Sequence, residues 1–506
     1  MYNSIIFTDE VDIMGGIPPI GAYKCAHVLR KNGYSCLVVN HLSSFTLEEI
    51  KKVIDLSVTK QTLLVGFSTT FLLNINVEKK EGEPTPQLEP LPANTVFPQG
   101  KQFEDEVVAR LRELNPDVKL LAGGAKVSVS TANKNLDYII VGYAETSIIN
   151  LMNHLAKGTK LQNASKNIHG RIVVNDQFAK DYDFVNERMV WLPEDVVNHK
   201  TLPLEIGRGC VFKCKFCSYP LNGKQQLDFV KRDYNLEDEL KENYERYGIE
   251  QYLLLDDTFN DHEDKLNALE RVVGRLPFQP KFWGYHRLDL IATRPHTLET
   301  LRNIGVRGMF FGIESLNPVT AKIVGKGFSG DKQIETLHRM KEQYSDISRH
   351  GSFIIGLPED TLDFARTTAD RLLSQDIPLE SWMFHELWIT KTSYKPYHSE
   401  IEKDYGKFGY EKIGDLGPII AWRNNHMDSF SAKTLTDQIM AESNASNKLT
   451  VSSQLAISIA TMDHPDFTFD SIKQTKHSDF NWYKLETEVK PNFIQDYKNQ
   501  LFNLIS

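Results

Sequence analysis

LEIGRGCVFKCKFCSYP, residues 204–220, decides how the rest of this chain is read. A short apolar run ends in glycine, as a β-strand entering a loop does, and the loop then carries Cys210, Cys214 and Cys217 as Cys-x3-Cys-x2-Cys. The chain has five cysteines, and these three fall within eight residues. So tight a group makes a poor disulfide framework and a natural metal centre. A structural zinc site would need a fourth ligand, and no further Cys or His follows before His262. Thiolates are the usual ligands of iron–sulfur clusters. A four-iron cube needs four ligands, so three cysteines leave one iron open to another molecule.

Five further strand candidates follow this loop: QYLLL (251–255), KFWGY (281–285), GMFFG (308–312), SFIIG (352–356) and MFHEL (383–387). Amphipathic stretches separate them, one with Leu236, Leu240, Tyr244 and Tyr247 on a stripe, another with Leu298, Leu301 and Ile304. Six βα repeats over residues 201–390 predict an open or partial barrel. Parallel βα barrels build their sites from the loops after the strands. Those loops offer Asp256-Asp257-Thr258-Phe259, His286-Arg287, Glu314-Ser315 and Gly356-Leu357-Pro358-Glu359.

The cysteine spacing, its place after the first strand, and the aromatic Phe216 before the third cysteine resemble the signature of the radical S-adenosylmethionine (SAM) superfamily over about Leu202 to Thr390. The resemblance implies that Cys210, Cys214 and Cys217 hold a 4Fe–4S cluster. Its open iron binds the amino and carboxylate groups of SAM, and an electron from the cluster cleaves the sulfonium to a 5′-deoxyadenosyl radical. It further places Asp256 and Asp257 near the SAM amino group, although the family's common Gly-Gly-Glu form is absent. Arg287 is then expected at the carboxylate and Glu314 at the ribose or amino group. The backbone around Ile355, Gly356 and Leu357, in SFIIGLPE, is expected to border adenine.

Residues 1–158 alternate strand runs (SIIFTDEV, CLVVN, TLLVGFS, KLLAGG, YIIVGYAE) with helical stretches, which predicts a doubly wound parallel sheet with ligands at the strands' carboxyl ends. Residues 74–100, rich in Pro, Glu and Lys, read as an insertion on that rim. Such a domain ahead of a radical SAM barrel resembles the cobalamin-binding arrangement of one large subfamily. That likeness implies corrin contacts from Ser68, Thr69, Gly123, Gly124 and Gly142. The loop Asp12-Ile13-Met14-Gly15-Gly16 lacks the histidine of Asp-x-His-x-x-Gly, and His27 lies in the following helix. Residues 159–200 read as a linker carrying a hairpin, GRIVVNDQF, with its turn near Asn175 and Asp176. Residues 391–506 are expected to form an α-rich extension of open role, and in the C-terminal third Trp388, Tyr394, Trp422 and His426 are candidates to line a cavity over the barrel.

With 67 acidic against 58 basic residues, a formal charge of −9 and no basic run, nothing favours nucleic acid. The acidic start argues against a signal peptide, and no apolar run approaches a bilayer's length. A cytoplasmic enzyme is expected. Cys25 and Cys36 stand apart in the first domain and read as buried small hydrophobes, so no auxiliary cluster is expected. The resulting expectation is a cobalamin-dependent radical SAM enzyme methylating an unactivated carbon of a small molecule or peptide, reduced by a donor such as flavodoxin or ferredoxin. The alternatives are a radical SAM oxidoreductase or cyclase without cobalamin, and a non-catalytic iron–sulfur protein.

Overall fold

The computed structural model describes residues 1–9, 17–68, 103–124, 127, 134–176, 182–327, 330–393, 397–448, 457, 459–473 and 475–506. The Asp12–Gly16 loop, Thr69, Tyr394 and the 74–100 insertion lie outside them.

The apolar runs of the first third form β1 (Ser4–Phe7), β2 (Cys36–Val39), β3 (Leu64–Ser68), β4 (Lys119–Gly123) and β5 (Tyr138–Gly142). With β6 (Ala164–Lys166) and β7 (Ile172–Asp176) they make one sheet of order β2-β1-β3-β4-β5-β7-β6, parallel except for β6. Helices cover it on both sides because these strands are apolar on both faces. The helix Leu47–Ser57, for example, starts at a capping box in which Thr46 and Glu49 satisfy each other's backbone N–H groups.

The hairpin joins this sheet, and its turn is not where the sequence suggested. β6 pairs with β7 around Asn167–Gly170, where Gly170 takes φ +77°. Asn175 and Asp176, expected in the turn, instead continue β7 alongside Val141 and Gly142 of β5.

The second sheet contains β8 (Thr201–Leu204), β9 (Gln251–Leu254), β10 (Lys281–His286), β11 (Val306–Glu314), β12 (Ser348–Ile355) and β13 (Ser381–Glu386). They lie side by side in chain order and all run parallel, as a partial barrel requires. One face carries the helices: Trp382 in β13 donates its indole N–H to Ser443 of the helix Ser429–Asn444 at 2.8 Å. The opposite face has its own lining, floored by Trp283 stacked on Phe469 at 4.2 Å. A single apolar core runs from the helix Ile20–Lys31 of the first sheet through Trp191 into both layers of the second.

Residues 391–506 mix helices with an antiparallel pair, β14 (Glu411–Leu416) and β15 (Ile419–Arg423). The last helix, Lys490–Ile505, returns to the first sheet, where Tyr497 and Leu501 enter its core and the Tyr497 hydroxyl accepts from the Asn40 N–H at 2.8 Å. No helix among the described residues is long and apolar enough to cross a membrane.

Candidate active site

The loop after β8 is shaped by backbone bonds before any ligand is considered. Cys210 N–H donates to Leu221 at 3.2 Å and Cys210 C=O accepts from Gly223 at 2.7 Å, which closes the loop on itself. Gly209 makes that closure possible: its φ is +73°, and a Cβ there would strike Leu221. Lys215 N–H reaches Val324 C=O at 3.0 Å, so the middle of the loop leans on the segment after β11.

All three cysteines are free thiols. Cys210 is buried, with its sulfur 3.3 Å from the Thr258 hydroxyl at the end of β9. Cys214 Sγ accepts from Arg287 Nη1 at 3.4 Å, and Cys217 Sγ accepts from the Asn222 amide at 3.2 Å. Burial pushes the Cys210 and Cys217 thiols upward, although hydrogen bonds from Thr258 and Asn222, respectively, oppose that. Bound iron supplies the positive charge that turns such thiols into thiolate ligands. A cavity of about 550 Å³ opens against Cys214 and Cys217, bounded across from the loop by Tyr397, His398 and Lys403. Three thiols on one loop, two of them lining the cavity, are the right donor set for a cluster held through three irons, although among the described residues no three such side chains already converge on one point.

The groups expected around SAM divide into two kinds. Asp256 is committed inside the protein: its carboxylate accepts from Ile206 N–H at 3.0 Å and faces the Lys265 ammonium at 3.3 Å, all of it buried. Asp257 is half-buried, its carboxyl pushed up to about 6 by burial and then by the neighbouring Asp256 charge. Arg287 is likewise occupied. It pairs with Asp289 at 2.5 Å, stacks on Phe212 with its guanidinium carbon 3.8 Å from the ring centre, and braces Cys214. It holds the cysteine loop as the structure stands.

Glu314 ends β11 with φ +68°, a backbone conformation a non-glycine residue adopts at a cost of about 1–3 kcal/mol. Lys326, unforeseen in the sequence, compensates: its ammonium lies 3.3 Å from Glu314, donates to Gly312 C=O at 2.6 Å and sits 5.8 Å from the centre of the Phe216 ring. Gly356 follows β12 with φ +103°, between buried Ile355 and Leu357. A Cβ on it would strike the Trp422 ring, and its carbonyl accepts from the Tyr410 hydroxyl at 2.7 Å. Trp422 is therefore core, not cavity lining. Trp388 is exposed and bonds Glu386, while His426 lies 3.3 Å from Glu359.

Ser68, Gly123, Gly124 and Gly142 line the carboxyl rim of the first sheet. Ser68 is in register with Gly123, and Gly124 and Gly142 take φ values of +118° and +92°. That rim meets the cysteine loop. Arg208, two residues before Cys210, stacks 4.4 Å over Tyr143, the residue after Gly142, and bonds the Glu145 carboxylate. Glu205 and Lys24 complete a buried group of four charges. His27 is not on the rim; it bonds Glu187 at 3.0 Å. Cys25 and Cys36 are raised by burial, Cys36 to about 11, as inert thiols are.

The chain resembles known proteins in sequence and in fold. An uncharacterized methyltransferase of Pyrococcus horikoshii is 24% identical over 287 residues, which are 53% of this chain and 60% of that one. The chain thus spans less than two-thirds of that relative's length. Among solved structures, the radical SAM methyltransferase TsrM from Kitasatospora setae, with cobalamin and a 4Fe–4S cluster bound, superposes with a TM-score of 0.59 at 14% identity, covering 83% of this chain and 82% of that one. The cobalamin-dependent SAM radical enzyme OxsB gives 0.57 at 12% identity, covering 99% and 80%. These likenesses establish a shared fold. Residues 204–372, most of the second sheet and its helices, match the radical SAM superfamily model, and a doubly wound first domain precedes them.

Proposed function

We propose that this chain is a cobalamin-dependent radical SAM enzyme that methylates an unactivated carbon. The observation that carries the reading is the meeting of two carboxyl rims: the glycine-bearing end of the first sheet, at Gly142 and Tyr143, abuts the cysteine loop of the second through Arg208. Ligands of open α/β sheets bind at such rims, so two cofactors held there would lie side by side.

When bound, the cluster on Cys210, Cys214 and Cys217 supplies the electron that cleaves SAM, and cobalamin supplies the methyl group. The chain's own residues set the stage. Thr258, Arg287 and Asn222 orient the three sulfurs. Asp257 and Glu314 supply carboxylates for the SAM ammonium and ribose, and the backbone of Ile355 to Leu357, held by the packing of Gly356 on Trp422, borders adenine. Tyr143, Tyr182 and Phe184 pack around the Arg208 guanidinium and exclude water between the domains. Cytoplasmic location, a small-molecule or peptide substrate, and reduction by a flavodoxin or ferredoxin complete the reading.

The test is anaerobic reconstitution with iron, sulfide and cobalamin, followed by reduction in the presence of SAM carrying a deuterated methyl group. The expected result is about four irons per chain, corrin absorbance that stays with the protein, release of 5′-deoxyadenosine, and a product bearing the labelled methyl. Loss of iron in C210A, C214A and C217A ties the cluster to the loop. Protein that stays colourless and iron-free under these conditions would overturn the reading.

A further inference from the structure

Strand register separates the two faces of the second sheet. On one, Phe353 stacks on Phe384 at 4.8 Å and Trp382 reaches the helix Ser429–Asn444. The alternate residues face away from the helices. Tyr285, Phe310 and His350 are in register across β10, β11 and β12, with ring centres 4.9 and 4.6 Å apart. Above them Ser352 pairs with Met383, and Ile354 with His385.

This face is closed below and open above. Trp283, Leu253, Ile457 and the stacked Phe469 form the floor. Tyr285, Phe310, Met383 and Ile354 are half-buried and His385 is exposed, so solvent reaches the upper layers. The open end is the carboxyl end of these strands, where β11 finishes at Glu314 and β12 runs into Gly356.

Two buried side-chain nitrogens of this face have no hydrogen-bond partner inside the protein, Trp283 Nε1 in the floor and His350 Nε2 in the layer above it. His350 is 5% exposed, its Nδ1 is engaged with the Ser381 hydroxyl at 2.6 Å, and its Nε2 is buried without a hydrogen-bond partner. A buried nitrogen left unpaired costs stability. Among the described residues of β10 to β13, this face carries no carboxylate or cationic amine between the Trp283 floor and Glu314. Aromatic and thioether walls with two unspent, uncharged hydrogen-bonding nitrogens suit a flat, uncharged ring, and of these His350 Nε2 lies nearer the open end than Trp283 Nε1.

We propose that the helix-free face of the second sheet is the substrate chamber, that it takes an uncharged aromatic or heteroaromatic ring, and that His350 Nε2 makes the ring's polar contact. The inference deepens the radical SAM reading by naming a substrate class, and it rests on that reading for the word substrate.

The experiment uses the reconstituted, SAM-loaded protein and measures binding of indole, naphthalene, cyclohexanol and benzoate by calorimetry. Indole is expected to bind at least about tenfold more tightly than cyclohexanol or benzoate. H350F is expected to weaken indole about tenfold while leaving naphthalene unchanged, and M383W, which fills the space, to abolish both. Equal affinities across the four probes, or indole binding untouched by both substitutions, would overturn the chamber. If H350F loses its iron and misfolds, M383W alone decides. On the same preparations 5′-deoxyadenosine reports the radical reading separately. Ring binding without SAM cleavage sinks that reading and leaves the chamber, whereas cleavage without ring binding sinks the chamber alone.

Discussion

Arg208 donates its Nη2 to the Glu145 carboxylate, joining the residue two places before a cluster cysteine to the first domain, and both side chains are 5% exposed. Glu205 accepts from the same guanidinium at 3.0 Å, and Lys24 closes the group. With two cations and two carboxylates, the group balances its own charge. Removing one partner would strand a buried charge, at a cost of about 3–5 kcal/mol. E145A is therefore expected to lower the thermal midpoint of the reconstituted protein sharply, whereas E145L/R208M, which removes both, is expected to lose less than E145A alone. Calorimetric scans of the two variants check this, and an additive loss would count against it.

Glu187 ties the helix Ile20–Lys31 to the segment that leads into β8. Burial raises its carboxyl, but hydrogen bonds and charge from His27 and Lys31 outweigh burial and hold it at about 2. A carboxylate depressed in the folded state contributes stability above its unfolded value, near 4.5, and loses it as pH falls toward 2. The difference in thermal midpoint between the native protein and E187Q is expected to shrink as pH falls below about 4.5. A difference that widens in acid would show that another group governs this contact.

Glu314 and Lys326 form the one site pair that the sequence hinted at only by half. The carboxylate could be picked out at a strand end, but Lys326 lies twelve positions further on, past a helix, and nothing in its neighbours marks it. E314Q is expected to weaken SAM binding about tenfold with iron content unchanged, and K326Q to do the same by releasing Glu314 from the conformation that Lys326 holds. Equilibrium dialysis with labelled SAM distinguishes this from a loss of cluster.

The parallel strands were legible because an apolar run ending in glycine or an acid is hard to mistake for anything else. The departures have physical causes. The strand expected at 204–207 lies at Thr201–Leu204 because Asp256 takes the Ile206 N–H and Lys231 N–H reaches the Ile206 carbonyl, ending its pairing there. Pro203 is tolerated in it because β8 is an edge strand. The hairpin turn was misplaced because Asn-Asp looks like a turn, whereas pairing with β5 keeps both residues extended. The four-charge group escaped notice because Lys24 and Glu205 are 181 positions apart, and each alone reads as a solvated surface charge.

Gly356 and Trp422 provide a steric test of the adenine-side loop. At φ +103° an L-residue is strained, and any Cβ collides with a tryptophan that is itself fully buried. G356A is expected to cost more than about 1 kcal/mol of stability, because strain and collision add. Y410F, which leaves the Gly356 carbonyl without its partner, is expected to cost about 1–3 kcal/mol without the steric part. Denaturant titration of both separates loop geometry from hydrogen bonding.

The last helix tests whether the first domain depends on residues far beyond it in the chain. Tyr497 and Leu501 are fully buried in the first sheet's core, the Tyr497 hydroxyl takes the Asn40 N–H, and Lys498 donates to Ser44 C=O at 2.7 Å and to Glu49 at 2.8 Å. Asn40 and Ser44 follow β2, on the same rim as the proposed corrin contacts. Y497F leaves a buried N–H unsatisfied, at about 1–3 kcal/mol, and L501A opens a cavity worth about 2–5 kcal/mol. Both are expected to raise amide exchange in β1, β2 and the helix Leu47–Ser57 while β10 to β13 stay protected. Hydrogen-exchange mass spectrometry reads the two regions separately, and exchange that rises equally in both would mean that the helix stabilises the whole chain and not its first domain.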